Sequence, residues 1–316
     1  MALRILTSEG SMKTRQKALN YLNPAWAAKK LSLLACTLSA LTGGLTTTAQ
    51  AAESSKQQLV YEVYAGGIHA VQATLDISMK PKNRYSLELG AKTRGILGRL
   101  APWFGTFESH GWVLKNAQYR PEQHKSTATW RGEKEVKDYA YAKNGTFKSL
   151  TIDEHDKPIE KKTIDKEITD GTTDALSATL VMLENFNKTG KCEGTSLVFD
   201  GKRSFEQKFV HQENVNLTSS KYNIYEGPAA KCTVEVVPQK GKWHKKPRGW
   251  MSIQEQGREK GTMPTVWVAS MKKGAPAIPV KIFVKTEYGA MFMHLAEYTN
   301  DAQKLVAEKR VLNAED

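Results

Sequence analysis

The chain has 316 residues, 46 Lys and Arg against 33 Asp and Glu, and a formal net charge of +13. Its length allows one large β domain or two small ones with a real core. The basic balance suits anionic partners, but no nucleic-acid-binding motif accompanies it, and nucleic acid is not the expected partner.

The N-terminus reads as a secretory signal peptide. Lys29 and Lys30 precede the apolar run "LSLLACTLSALTGGLTTTAQA", which ends in Ala49-Gln50-Ala51. A basic flank, a short apolar core and an A-x-A site predict cleavage before Ala52. Met12 would also serve as the start. The alternative, an uncleaved anchor, is disfavoured because the run is short for a span and broken by Gly43 and Gly44. Cys36 follows Leu33-Leu34-Ala35 in the manner of a lipoprotein box, yet the apolar core continues past it. Residues 1–51 are thus assigned to the signal, 52–300 to a single β-rich periplasmic domain and 301–316 to a charged tail, either frayed or a short helix. Cleavage leaves 40 basic and 32 acidic residues, a balance of +8. Such a surface suits anionic lipids or cell-wall polymers, and equally ordinary solubility.

After Ala52 the dominant period is two. "QLVYEVYAGGIHAVQATLDISM" predicts two strands around Gly66-Gly67, and "RYSLELGAKTRG" a third. A short helical turn is expected in "RGILGRLAPWFG". Strands follow in "GTFESHGWVLK" and "KSTATWRG". Hairpins are predicted around Asn144-Gly145 and Asp200-Gly201. "KYNIYEGPAAKCTVEVVPQ" is expected to turn at Gly227-Pro228. "GWMSIQEQGREKGTMPTVWVASM" and "IPVKIFVKTEYGAMFMHLAEY" are read as two closing strand pairs, for about twelve strands in all.

One segment departs from this period. "TDGTTDALSATLVMLENFNKTG" places Leu176, Thr179, Leu180, Leu183 and Phe186 on one helical face. Thr172 or Thr173 is expected to cap its start and Gly190 its end. Its apolar face needs cover, most simply the concave side of the sheet. The predicted architecture is therefore mainly β: a strongly curved antiparallel sheet or incomplete barrel with one amphipathic helix in the concavity.

Removal of the signal leaves two cysteines, Cys192 and Cys232. In an oxidising compartment two thiols most often pair. That disulfide would stabilise by about 3–4 kcal/mol in the chain-entropy account.

The search for catalytic chemistry yields little. His69, His110, His124, His155, His211, His244 and His294 form no spaced ligand set, so no metal is expected. No nucleophile elbow, P-loop or dinucleotide fingerprint occurs, and no cofactor is expected. Asp170 and Asp174 could be paired carboxylates, but helix capping explains them more simply. Glu255 is read as a polar strand residue rather than an acid or base.

Two clusters suit ligand contact. Trp103, Phe104, Phe107 and Trp112 could line an apolar pocket mouth or plug the sheet's end. Trp243, His244, Lys245, Lys246, Arg248 and Trp250 could meet an anionic headgroup, or form a solvated loop with its tryptophans turned inward.

The phrases "YEVYAGGIHA", "GILGRLAPW", "TFESHGW", "STATWRG", "DGTTDALSA", "CEGTSLVFDGKRSF", "YNIYEGPAAKCTVEV" and "RGWMSIQEQGRE" together resemble the exported bacterial family catalogued as domain of unknown function 3108. The resemblance implies a periplasmic or exported protein. It implies no catalytic set, so no site residue is carried over. The C-terminal strands are also similar in kind to exported lipoprotein carriers, where a curved sheet wraps a helix and holds acyl chains.

These readings lead to a non-enzymatic periplasmic protein that supports the cell envelope and binds a lipid or other amphiphile in its sheet. One alternative is an interaction protein with a filled core that binds an envelope protein or wall polymer. Another is an unrecognised hydrolase. Contact with the membrane is expected to be peripheral at most.

Overall fold

A computed structural model describes residues 55–115, 118–247, 249–286 and 289–310. The expected signal peptide and cleavage point, Arg248 and the end of the tail lie outside the described residues. The first wing holds β1 (Ser55–Ala65), β2 (Ile68–Lys80), β3 (Arg84–Thr93), the short helix α1 (Gly95–Leu100), β4 (Trp103–Leu114) and β5 (Gln118–Trp130). It continues through β6 (Glu133–Tyr141), β7 (Phe147–Glu154) and β8 (Glu160–Lys162). Helices α2 (Lys166–Thr169) and α3 (Ala175–Thr189) lead to a second wing. This comprises β9 (Gly194–Phe199), β10 (Arg203–Leu217), β11 (Gly227–Gly241), helix α4 (Trp250–Glu259), β12 (Thr265–Ser270), β13 (Ala277–Thr286), β14 (Gly289–Asn300) and β15 (Lys304–Val306).

The strands make one fifteen-stranded sheet in the order β8-β7-β6-β5-β4-β3-β2-β1-β14-β13-β12-β11-β10-β9, with β15 added to β14. Its named ladders are antiparallel. The count exceeds the expected twelve partly because β8 and β15 are three residues long, too short to show a period. β15 also replaces the frayed or helical tail anticipated there.

The sheet is not closed into a barrel: among the described residues no ladder joins β8 to β9. Its two ends instead meet through side chains. Phe199 of β9 lies edge-on to Tyr139 of β6 and Phe147 of β7, with ring centroids 6.0 and 5.2 Å away. The Tyr139 hydroxyl donates to the Asp200 carbonyl at 3.1 Å. Thr173 bridges to β9, its N–H donating to Leu197 and its carbonyl accepting from Phe199. The expected curved, incompletely closed sheet is what forms.

Helix α3 sits in the concavity and touches both wings, β4 and β5 on one side and β9, β10, β12 and β13 on the other. Leu180 joins Leu59, Tyr61, Tyr85, Ile278 and Leu295 in one apolar cluster; Met182 and Leu183 join Phe209, Val266 and Val268 in another. The buried set, which adds Ser177, Ala178 and Met182, is wider than one stripe because the helix is enclosed from several sides. Gly190 ends the helix as expected, at φ 72°. Its start is capped by Asp174, not by Thr172 or Thr173. Thr172 Oγ1 bonds the Thr169 carbonyl, and Thr173 is held in the bridge to β9.

The strand expected at "GWMSIQEQGREK" is instead helix α4. Ile253, Gln254 and Gly257 recur at helical spacing, and Gly249 and Gly261, at φ 57° and 64°, bracket the element. Glu255 is therefore a helical residue. Where β11 parts from β12, the buried Gln254 amide accepts from Val236 N–H at 2.6 Å and donates to Val236 carbonyl at 3.0 Å. It thereby satisfies strand groups that would otherwise lack partners.

The two cysteines are joined as expected. Cys192, between α3 and β9, bonds Cys232 of β11 across 40 residues of sequence. The bridge ties the central helix's exit to the second wing.

Candidate functional site

A dense group of buried polar side chains lies at the start of α3. Ser109 and His124 are register partners on β4 and β5, and both face the helix. Ser109 Oγ lies 2.8 Å from His124 Nδ1 and 2.7 Å from Asp174 Oδ1. Asp174 also accepts from Ser177 N–H at 2.9 Å and Ser177 Oγ at 2.6 Å. The Tyr85 hydroxyl completes the group, 2.6 Å from Ser177 Oγ.

Counting protons fixes the direction of these bonds. Each serine has one proton, and each gives it to the carboxylate. Ser177 must then accept from Tyr85, and Ser109 must accept from the Nδ1–H tautomer of the His124 ring. Burial holds the Tyr85 phenol far above its ordinary range, with the Asp174 charge acting in the same sense, so it remains a donor.

Serine, histidine and aspartate in contact invite comparison with an acyl-transfer triad. There the serine faces one ring nitrogen and the carboxylate the other. Here both face Nδ1, with Asp174 Oδ1 3.6 Å from it. Ser109 is fully buried. The arrangement suits docking a capped helix onto a sheet.

A second polar group lies on the outer face, where β1 and β2 meet. Glu62 is buried, 2.5 Å from His69 Nε2 and 2.9 Å from Gln72 Nε2. Arg94 in turn donates to Gln72 Oε1 at 2.8 Å. His69 reaches Glu62 because the strand carries a bulge next to the pair formed by Tyr64 and His69. Nearby, His294 stacks with Tyr222 and Phe292. Burial and the Lys281 charge lower its pKa.

The aromatic residues singled out from the sequence do not form one pocket. Strand alternation places Trp103 and Phe107 on the inner face, with Trp103 folded over Gly105, while Phe104 faces outward and is exposed. Trp112 is also outward, with the Arg84 guanidinium 5.0 Å from its ring centre. It lines an open polar cleft of about 670 Å³ with His110, Glu122 and Asp138.

The second cluster also divides. The Arg203 guanidinium lies 4.0 Å from the Trp243 ring centre, and Phe205 meets that ring edge-on. Lys245 and Lys246 project from an exposed bend, Trp250 begins α4, and Arg248 lies outside the described residues.

Sequence reasoning missed Ser109, His124 and Tyr85 because their partners are remote in sequence. Only Asp174, as a capping residue, left a trace. His211 stands 4.0 and 3.9 Å from the two disulfide sulfurs. With those sulfurs bonded to each other, this trio is not a metal-ligand set.

Residues 60–296 match the family described as "Protein of unknown function (DUF3108)". The chain belongs to this family. The match spans the DUF3108 chain from β1 into β14, taking in both wings and α3. No curated protein matches it. Among solved structures, it is similar to a beta-barrel-like protein of the domain of unknown function DUF1849 from Brucella abortus. The identity is 6% and the TM-score 0.41, over 79% of this chain and 99% of the other. A likeness at that level carries no inference about activity.

Proposed function

We propose that this is a non-enzymatic periplasmic protein that supports the cell envelope by binding a protein or wall polymer through its outer surface. The observation that carries this reading is the filled concavity. Leu180, Met182 and Leu183 of α3 pack directly into the clusters on the sheet, so side chains take up the apolar space between helix and sheet in which a carrier would hold acyl chains. The bonds among Ser109, His124, Asp174, Ser177 and Tyr85 fix that helix in place. Export is supported by the N-terminal sequence and by the pairing of the two cysteines left after cleavage.

Native mass spectrometry of protein purified from its own periplasm, with solvent extraction, tests the reading. The expected result is the mass of the cleaved, oxidised chain with no stoichiometric lipid. A discrete lipid retained in each preparation would overturn it in favour of an internal amphiphile.

A further inference from the structure

The exposed apolar side chains of this protein are concentrated on one edge of the sheet. Among the described residues, the large hydrophobics left exposed are Ile68, Ile96, Leu97, Leu100, Phe104, Trp130 and Ile159, together with Leu305 and Val306 in β15. The first seven all lie at hairpin tips on the same edge. Ile68 belongs to the β1/β2 tip, Ile96 to Phe104 to the β3/β4 tip, Trp130 to the β5/β6 tip and Ile159 to the β7/β8 tip. These hairpins are consecutive in the sheet. At about 4.8 Å per strand, neighbouring tips stand roughly 10 Å apart.

The first three tips are linked. Arg94 N–H donates to the Ala70 carbonyl, joining the second tip to the first, and Arg131 N–H donates to the Pro102 carbonyl, joining the third to the second. The apolar residues project outward: Leu100 is 70%, Ile96 58% and Trp130 48% exposed. Cations stand among them. Lys92 is paired in register with Phe104, Arg99 is exposed between Ile96 and Leu100, and the Arg131 guanidinium lies 5.5 Å from the Trp130 ring centre. Glu133 is the exposed acid at the third tip; at the fourth, beside Ile159, the exposed Asp156 and Glu160 are offset by Lys157 and Lys161, so the net positive charge lies on the first three tips. The opposite edge differs: its tips present Lys82-Asn83, Lys143-Asn144 and Lys272-Lys273.

We propose that this row of apolar and basic hairpin tips is a docking edge for an anionic bilayer surface. The inference rests on the reading of an exported protein that works through its surface, and it gives that surface an orientation. The projecting apolar tips enter the boundary between headgroups and acyl chains, with Trp130 at the interface and Arg99, Arg131 and Lys92 against lipid phosphates. Charge complementarity selects an anionic surface over a neutral one.

Sedimentation of the cleaved, oxidised protein with sucrose-loaded vesicles tests the proposal. The vesicles are three parts phosphatidylethanolamine to one part phosphatidylglycerol, or phosphatidylcholine alone. Binding to the anionic vesicles is expected to weaken with salt. Ile96→Glu with Leu100→Glu should weaken partitioning at least tenfold. Arg99→Gln with Arg131→Gln should remove most of the preference for anionic vesicles. Lys143→Gln with Lys272→Gln, on the opposite edge, should change it less than twofold. All these positions are exposed, and unchanged circular dichroism and melting would verify folding. Wild-type protein that fails to sediment with anionic vesicles, or a Glu pair that binds as well as wild type, would overturn the proposal. An apo mass beside failed vesicle binding would sink the docking edge alone; an internal lipid would sink the surface reading itself.

Discussion

The sheet is held at two places by different means. At the central seam, β1 and β14 pair over nine residues of β1, from Gln57 to Ala65. At the outer join, β9 meets β6 and β7 mainly through Phe199, Tyr139 and Phe147, with Thr173 as a bridging residue. A backbone seam distributes its hydrogen bonds over many residues, so no single side chain decides it. A side-chain join depends on a few rings and on the helix wedged beneath it. Single substitutions should therefore damage the join more than the seam.

The largest effect is expected from removing the disulfide that anchors α3 and β9 to β11. Cys192→Ser with Cys232→Ser should cost about 4 kcal/mol of unfolding free energy, read from urea transitions. Phe199→Ala opens a cavity between the ends of the sheet and should cost about 3 kcal/mol. Hydrogen exchange should then speed up in β9 and α3 before β1 and β14; uniform acceleration would show the two regions to be one cooperative unit.

Asp174→Ala removes the α3 cap and leaves Ser109 and Ser177 without their acceptor. A loss of about 2–3 kcal/mol is expected in the same urea assay. At the seam, Tyr61→Phe deletes the bond from the Tyr61 hydroxyl to the Pro279 carbonyl, 2.8 Å long. It should cost only about 1 kcal/mol. A cost equal to that of Phe199→Ala would erase the contrast.

The smallest effect concerns pH. Burial and Lys281 hold His294 below its ordinary 6.5. The unfolded chain then takes up this proton more readily than the folded one. The residue's contribution is fully present above about pH 6.5 and is lost as pH falls through the lowered folded value. His294→Gln should narrow the gap between urea midpoints at pH 7.5 and 5.0; an unchanged gap would argue against this assignment.

Much of this fold was legible because hairpins write themselves locally. The Asn144-Gly145 and Asp200-Gly201 turns and the period-two runs beside them locate their strands. The apolar spacing of α3 is equally local. By contrast, α4 was misread because its ten residues mix polar and apolar side chains, and its organising contact, Gln254 with Val236, is tertiary. The polar group around Asp174 was illegible for a similar reason. Ser109 and Asp174 are 65 residues apart, and only the curvature of the sheet brings them together. The split of the aromatic cluster was implicit in strand alternation, since Trp103 and Phe107 share a parity that Phe104 lacks.

The central seam also has a consequence in time. β1 begins the described chain, and its partner β14 arrives some 230 residues later. During synthesis β1 can pair with β2 at once, but its other edge must wait until β14 has been made. Each wing can assemble as neighbouring hairpins, while the ladder that unites them is the most non-local among those of the described residues. Topologies of this kind fold slowly, and until the ladder forms, an unpaired β1 edge is open to aggregation. A chaperone that shields a strand edge would be most valuable in that interval, before β14 reaches β1.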